Sequence, residues 1–221
     1  MQAPWYAEEP SDALLLPSTP LAREAMQLLT RSASPSIANH GIRSYLFARL
    51  AADERGLRSG RDYDAELLFC ACALHDIGVT AAFDKGQRFE VNGADAAAEL
   101  LRRHGTAEKE VDLVWQAIAL NTSPGIVERR GTLCALTLAG VAIDFGIDAP
   151  FVTDETAASI HRAYPRLSIG RVLSDAIAVQ AGTDPAKAPL FSASAQLVRQ
   201  RLSAPHVTEI ESIAANGRWR E

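Results

Sequence analysis

Aromatic residues are scarce in this chain: Trp, Tyr and Phe together make up 6% of its 221 residues. A core with so little aromatic volume is built mainly from Ala and Leu, which are strong helix formers and weak strand formers. Cysteine is scarce too. Cys70, Cys72 and Cys134 are an odd set in a chain this long, which argues against a disulfide framework and for a reducing, cytoplasmic setting. Cys70 and Cys72 lie two apart in an apolar helical run, so they face different sides and cannot chelate one ion together; they read as small core residues. No uncharged stretch reaches the roughly 18 apolar residues that span a bilayer. Gly131 to Ile143 falls short of that and suits a central buried helix. Met1 to Pro10 lacks a basic-then-apolar targeting pattern. No basic face is evident either. A net charge of −5 and a pI near 5.6 argue against a nucleic-acid backbone as the main partner. The one basic group, Arg102, Arg103 and His104, sits where a helix should end and complements its dipole. Nothing alternates with period two for long enough to form a sheet, and no repeat or low-complexity tract appears.

What is present is an ordinary globular composition, 48% apolar and 22% charged, in a length that suits one compact unit. Residues 1–20, with Pro4, Pro10, Pro17 and Pro20, read as an irregular arm. Residues 21–221 read as a single soluble all-α domain of eight or nine helices, with its chemical core at about 36–146 and C-terminal helices at about 154–217. Ser36, Asp64, Thr106 and Asp154 are candidate helix caps, with Gly56, Gly78, Gly105 and Gly146 as stops. Residues 79–92 lack helical periodicity and form an unusually long loop, of a kind that is usually functional or disordered. The next helix is expected at Ala94 to His104.

Polar groups at the ends of apolar helices carry the chemistry. His75 and Asp76 follow the run Leu67 to Leu74, and ionised Asp76 cannot be buried there without a cationic partner or strong donors. His40 occupies a similar place: Ile37, Gly41, Ser44 and Ala48 share its side of a helix at three- and four-residue spacing, and their small size lets another helix approach. Asp144 is a lone carboxylate after the uncharged run Thr132 to Ile143. One divalent ion satisfies all four of His40, His75, Asp76 and Asp144, since imidazole and carboxylate suit Zn, Fe, Mn, Co or Ni. Zinc and iron are favoured, and a single ion is expected. The remaining histidines, His104, His161 and His206, lie near helix ends or in loops and read as surface residues.

The order His40, His75-Asp76, Asp144 resembles the HD superfamily of metal-dependent hydrolases. The flanking segments Asn39-His40, Leu74 to Gly78, Arg88 to Ala94, Ala117 to Ile126 and Ala139 to Gly146 are similar to its cyanamide hydratase-like branch. That resemblance covers about residues 36–146. It implies an HD-type helical fold and metal-activated water acting on a small molecule: water addition to a nitrile-like carbon, giving urea from cyanamide, or, in the wider superfamily, hydrolysis of a nucleotide or other phosphate ester. A non-catalytic, metal-binding regulatory protein is the other class. Asp76, Glu90 and Asn121 are the candidate catalytic residues, and Lys85, Arg88, Phe89, Asn92 and Thr122 the candidate substrate contacts. Asn92 could equally cap the helix at Ala94. Where the branch calls for histidine this chain has Asn121, which cannot act as a base near neutral pH. Beyond the small-molecule substrate no membrane or nucleic-acid partner is expected, and the helices after Asp154 are the candidate surface for a homodimer.

Overall fold

Ten α-helices and several short 3-10 turns, with no strand, make up residues 15–202 and 207–220, the part of the chain that the computed structural model describes. Most of the expected arm (1–14) lies outside those residues, as does His206. The helices are α1 (Pro20–Ser32), α2 (Pro35–Glu54), α3 (Ala65–Leu74), α4 (Phe89–Arg103), α5 (Glu108–Ala119), α6 (Thr132–Asp144), α7 (Asp154–Ala163), α8 (Ile169–Thr183), α9 (Ala193–Leu202) and α10 (Glu209–Asn216). The class is all-α as expected, though ten helices exceed the eight or nine anticipated.

Local chemistry explains the helix ends, including those that depart from expectation. Asp64 caps α3, its Oδ1 accepting the amides of Glu66 and Leu67 at 2.8 and 2.9 Å. Ser34 rather than Ser36 caps α2. That register puts Pro35 at the first helical position, where its fixed φ and missing N–H are tolerated. Thr153 caps α7, with Asp154 as its first residue, and Ala107 rather than Thr106 precedes α5. The largest difference is at α4, which begins at Phe89 instead of Ala94. The expected long loop is therefore shorter, and 3-10 turns at Ile77–Val79 and Ala81–Phe83 occupy much of it. Asn92 is no cap. It lies inside α4 and ties the loop down, accepting the Lys85 amide and donating to the Gln87 carbonyl.

Helix α2 is buried along most of its length and lies between α3 and α6. It approaches α6 where α6 carries Gly140: a Cβ there would stand 2.0 Å from the Ser44 carbonyl oxygen and 2.8 Å from the Ala48 Cβ. Only glycine allows two helices to close to that distance. Gly78 does the same for the turn after α3, where a Cβ would lie 2.0 Å from the Phe89 carbonyl oxygen. The main core gathers Tyr45, Phe47, Phe69, Leu74, Ile118 and Leu136 around these contacts, with all three cysteines buried and unpaired. A second, smaller core joins Ile169, Leu173 and Ile177 of α8 and Leu197 of α9 to Ile37, Val79 and Phe89. Gln180 of α8 donates to the Gly78 carbonyl at 2.7 Å. The C-terminal helices are thereby fixed over the turn that follows α3. No helix among the described residues is long and apolar enough to cross a membrane.

Candidate metal centre

Helix α2 delivers His40, and the end of α3 delivers His75 and Asp76, so the two helix surfaces that meet in the core bring three polar groups to one point. His40 is 0% exposed, His75 1% and Asp76 4%. One ligand atom from each lies within 4.8 Å of the others. Asp76 Oδ2 is 3.1 Å from His75 Nε2 and 3.6 Å from His40 Nε2.

The hydrogen bonds behind the rings set what they present to the front. His40 Nδ1 lies 2.7 Å from Asp144 Oδ2, and His75 Nδ1 lies 2.7 Å from the Cys72 carbonyl. A carboxylate and a carbonyl only accept, so each Nδ1 carries the proton and each Nε2 turns a lone pair toward Asp76. Three acceptors thus converge with no donor between them, and His40 Nε2 and Asp76 Oδ2 are buried without a hydrogen-bond partner. Leaving such an atom unsatisfied costs about 1–3 kcal/mol. A divalent cation removes that cost, and two imidazoles with a carboxylate are a fitting donor set for a first-row ion with open positions.

Asp144, expected as a fourth ligand, does not join this cluster. Its oxygens are occupied by Arg43: Nε donates to Oδ1 at 2.6 Å and Nη2 to Oδ2 at 2.7 Å. Asp144 and Arg43 are both 0% exposed. The carboxylate stands behind His40, fixing its ring and tautomer in the manner of an outer-shell carboxylate. Arg43 was not anticipated. The available signal was its position, three residues after His40 and so on the same side of α2. Its Nη1 also donates to the Tyr164 and Pro165 carbonyls at 3.0 and 3.1 Å, and Asn39 donates to the Pro165 carbonyl at 2.8 Å. The link between α7 and α8 is thus tied to α2.

Charge follows geometry. Burial opposes ionisation of Asp144, yet the Arg43 charge and the bonds from His40 and Arg43 hold its carboxyl well below the usual carboxylate range. Burial pushes His40 down, with Asp144 opposing. Burial also works against charge on His75 and Asp76, but their mutual attraction raises the imidazole and lowers the carboxyl.

The cluster lies in the wall of a cavity of about 290 Å³. Of the remaining candidates, Phe89, Asn121 and Thr122 also line it, whereas Lys85, Arg88, Glu90 and Asn92 do not. Glu90 is fully buried, and its Oε1 accepts from Arg88 at 2.7 Å and from Thr122 Oγ1 at 2.8 Å. It therefore steadies Thr122 from outside the cavity. Lys85 is exposed, 4.0 Å from Glu99. No Lys or Arg is among the described lining residues. His104 is a surface residue as expected, 2.6 Å from Glu24, and Arg102 and Arg103 pair with nearby glutamates. His161 is not: it packs against Phe47 and Trp219, and burial pushes its pKa down to about 4.

An all-α bundle with a paired His-Asp at one helix end, and a second histidine facing it from the neighbouring helix, is an arrangement that can hold a divalent metal ion. Residues 37–145 match the family model of the HD domain, and the chain belongs to the HD superfamily. Cyanamide hydratase DDI2 and cyanamide hydratase DDI3 of Saccharomyces cerevisiae are each 26% identical to it over 170 residues, covering 73% of this chain and 72% of theirs. An uncharacterized protein of Clostridium beijerinckii is 23% identical over 79 residues, covering 36% of this chain and 50% of its own length. The cyanamide hydratase-like character read from the motifs is borne out. Helices α8 to α10, which supply much of the cavity wall, lie beyond residues 37–145, the segment matched to the HD domain.

Proposed function

We propose that this protein adds water to a nitrile-type carbon of a small molecule, with one divalent ion, zinc or iron, held by His40, His75 and Asp76. The observation that carries this reading is the pairing of a buried, acceptor-only cluster with a cavity that has no described cationic side chain in its wall. A phosphate ester brings two negative charges, and sites built for it supply arginine, lysine or a helix N-terminus to meet them. A nitrile is uncharged and needs none. The names of the yeast relatives point the same way.

An ion bound there supplies Lewis acidity and lowers the pKa of water from about 15.7 toward roughly 7. Asp76, ionised in the folded protein, accepts the proton that water loses as it attacks. Asn121 and Thr122, side by side on the cavity wall, orient the substrate by hydrogen bonding, with Glu90 holding the Thr122 hydroxyl. Attack forms one C–O bond and opens one C–N π bond, and the nitrogen takes up the proton that Asp76 received from the water. The resulting imidic acid tautomerises to the amide, or to urea when the substrate is cyanamide. Asn121 hydrogen-bonds but moves no proton near neutral pH, so proton transfer rests on Asp76. Asp144 and Arg43 act through His40 as positioning residues.

The test is a parallel assay of protein supplied in turn with Zn, Fe, Mn, Co and Ni. Cyanamide and simple nitriles are scored for urea or amide release, and a nucleotide panel for phosphate release. Amide or urea release that requires metal and vanishes in His75→Ala is the predicted result. Phosphate release without any amide or urea would overturn the proposal.

A further inference from the structure

We infer that the natural substrate is a nitrile-type molecule with an apolar body much larger than cyanamide and an oxygen that hydrogen-bonds to Ser194. The polar head of this inference rests on the hydration reading; the apolar body and the Ser194 contact rest on the cavity alone.

Size comes first. The cavity of about 290 Å³ approaches the roughly 300–1,000 Å³ of sites that take drug-sized ligands. A water molecule takes about 30 Å³ of liquid volume, so a compound of three heavy atoms leaves most of this space to solvent. Chemistry comes second. Away from the His-Asp cluster the wall is mostly apolar, with Leu173 and Ile177 from α8, Leu197 from α9, Ile210 and Ile213 from α10, and Phe145 after α6. Water against such a surface is unfavourable, and an apolar chain or ring that displaces it gains about 25 cal/mol for each Å² removed from water.

Ser194 supplies the second polar point. It lines the cavity, is 1% exposed, and its Oγ has no hydrogen-bond partner. Nearby polar side chains of the same wall are already engaged: Gln196 donates to the Glu209 carboxylate at 2.9 Å, and Gln200 accepts the Glu209 amide at 2.9 Å. A buried hydroxyl left alone is costly, and a ligand oxygen in the cavity satisfies it. An ether, carbonyl or hydroxyl oxygen along the apolar body fits. These determinants sit on helices outside residues 37–145, the segment that matches the HD domain.

The test is calorimetric binding of straight-chain primary amides, from acetamide to hexanamide, to the full-length protein as purified, with urea as the small reference. Each added methylene is expected to tighten Kd about fourfold until the cavity is full, with urea binding far more weakly than hexanamide. In a second series one ether oxygen is moved along the chain. One position should bind roughly fivefold tighter than its neighbours in the wild type, and that preference should vanish in Ser194→Ala. The plain amides should bind both proteins equally, which shows that the variant keeps its cavity. Affinity that does not change with chain length, or a position preference that survives Ser194→Ala, would overturn the inference. Turnover of cyanamide together with flat length dependence would refute the apolar body while leaving hydration intact. Length-dependent binding without hydration of any nitrile would refute the polar head and leave the cavity reading standing.

Discussion

Replacing Arg43 by methionine removes one partner of a fully buried ion pair while roughly preserving side-chain volume. Asp144 then keeps its charge in the core with only His40 and the more distant Arg166, 3.5 Å from Oδ1, to balance it. The Tyr164 and Pro165 carbonyls lose a charged donor at the same time. Breaking a buried pair by removing one member costs about 3–5 kcal/mol. In a domain of this size each kcal/mol moves Tm by roughly 2–4 °C, so a cost near the middle of that range lowers Tm by about 8–16 °C. Thermal unfolding followed by circular dichroism at neutral pH measures this. The double variant Arg43→Met with Asp144→Leu removes both charges and should recover at least about 2 kcal/mol relative to Arg43→Met alone, because contacting residues are not additive. Metal affinity should behave differently. His40 Nδ1 has lost its carboxylate in the double variant, so affinity should fall about 10–100-fold even though stability returns. An Arg43→Met protein within about 1 kcal/mol of wild type, or a double variant that regains metal affinity along with stability, would refute the assignment of Asp144 as the residue that orients His40.

Gly140→Ala places a methyl group 2.0 Å from a backbone carbonyl of α2; the helices must part, and a stability loss of about 3 kcal/mol is expected, whereas a Tm shift under about 2 °C would show that the interface yields easily. His161 gives a pH signature. Its folded pKa of about 4 lies below its unfolded value of about 6.5, so its stabilising effect is complete above about pH 6.5 and is lost as pH falls toward 4. A full shift of that size amounts to about 3 kcal/mol, and partial solvation of the ring reduces this to about 1–2 kcal/mol. Between pH 7 and 4 the wild type should therefore lose that much more stability than His161→Phe in denaturant titrations, and parallel pH profiles would contradict the depressed pKa.

The parts of the site that were legible in the sequence share one physical property: a polar side chain ends an otherwise apolar helix, so it must have a buried partner. His40, His75 and Asp76 follow that rule and meet as expected. Asp144 obeys it too, but its partner was misread. Arg43 sits one turn beyond His40 on a helix that also carries Arg49 and Glu54, and nothing in a linear pattern marks which of these charges is buried. The start of α4 was hidden for a similar reason. Asn92 and Gly93 look like a helix boundary, yet here they serve close packing and a loop clasp inside the helix. The wall formed by α8 to α10 left no trace at all, because an apolar residue that faces a cavity has the same pattern as one that fills a core.

Elemental analysis of the full-length protein, purified without added metal and again after exposure to each first-row divalent ion and removal of the excess, tests the central claim most directly. About one equivalent of a transition metal per chain is predicted, falling below about a tenth in a His75→Ala protein that retains its helical spectrum. A wild-type chain that holds none of these ions, or a His75→Ala chain that holds as much as the wild type, would contradict it.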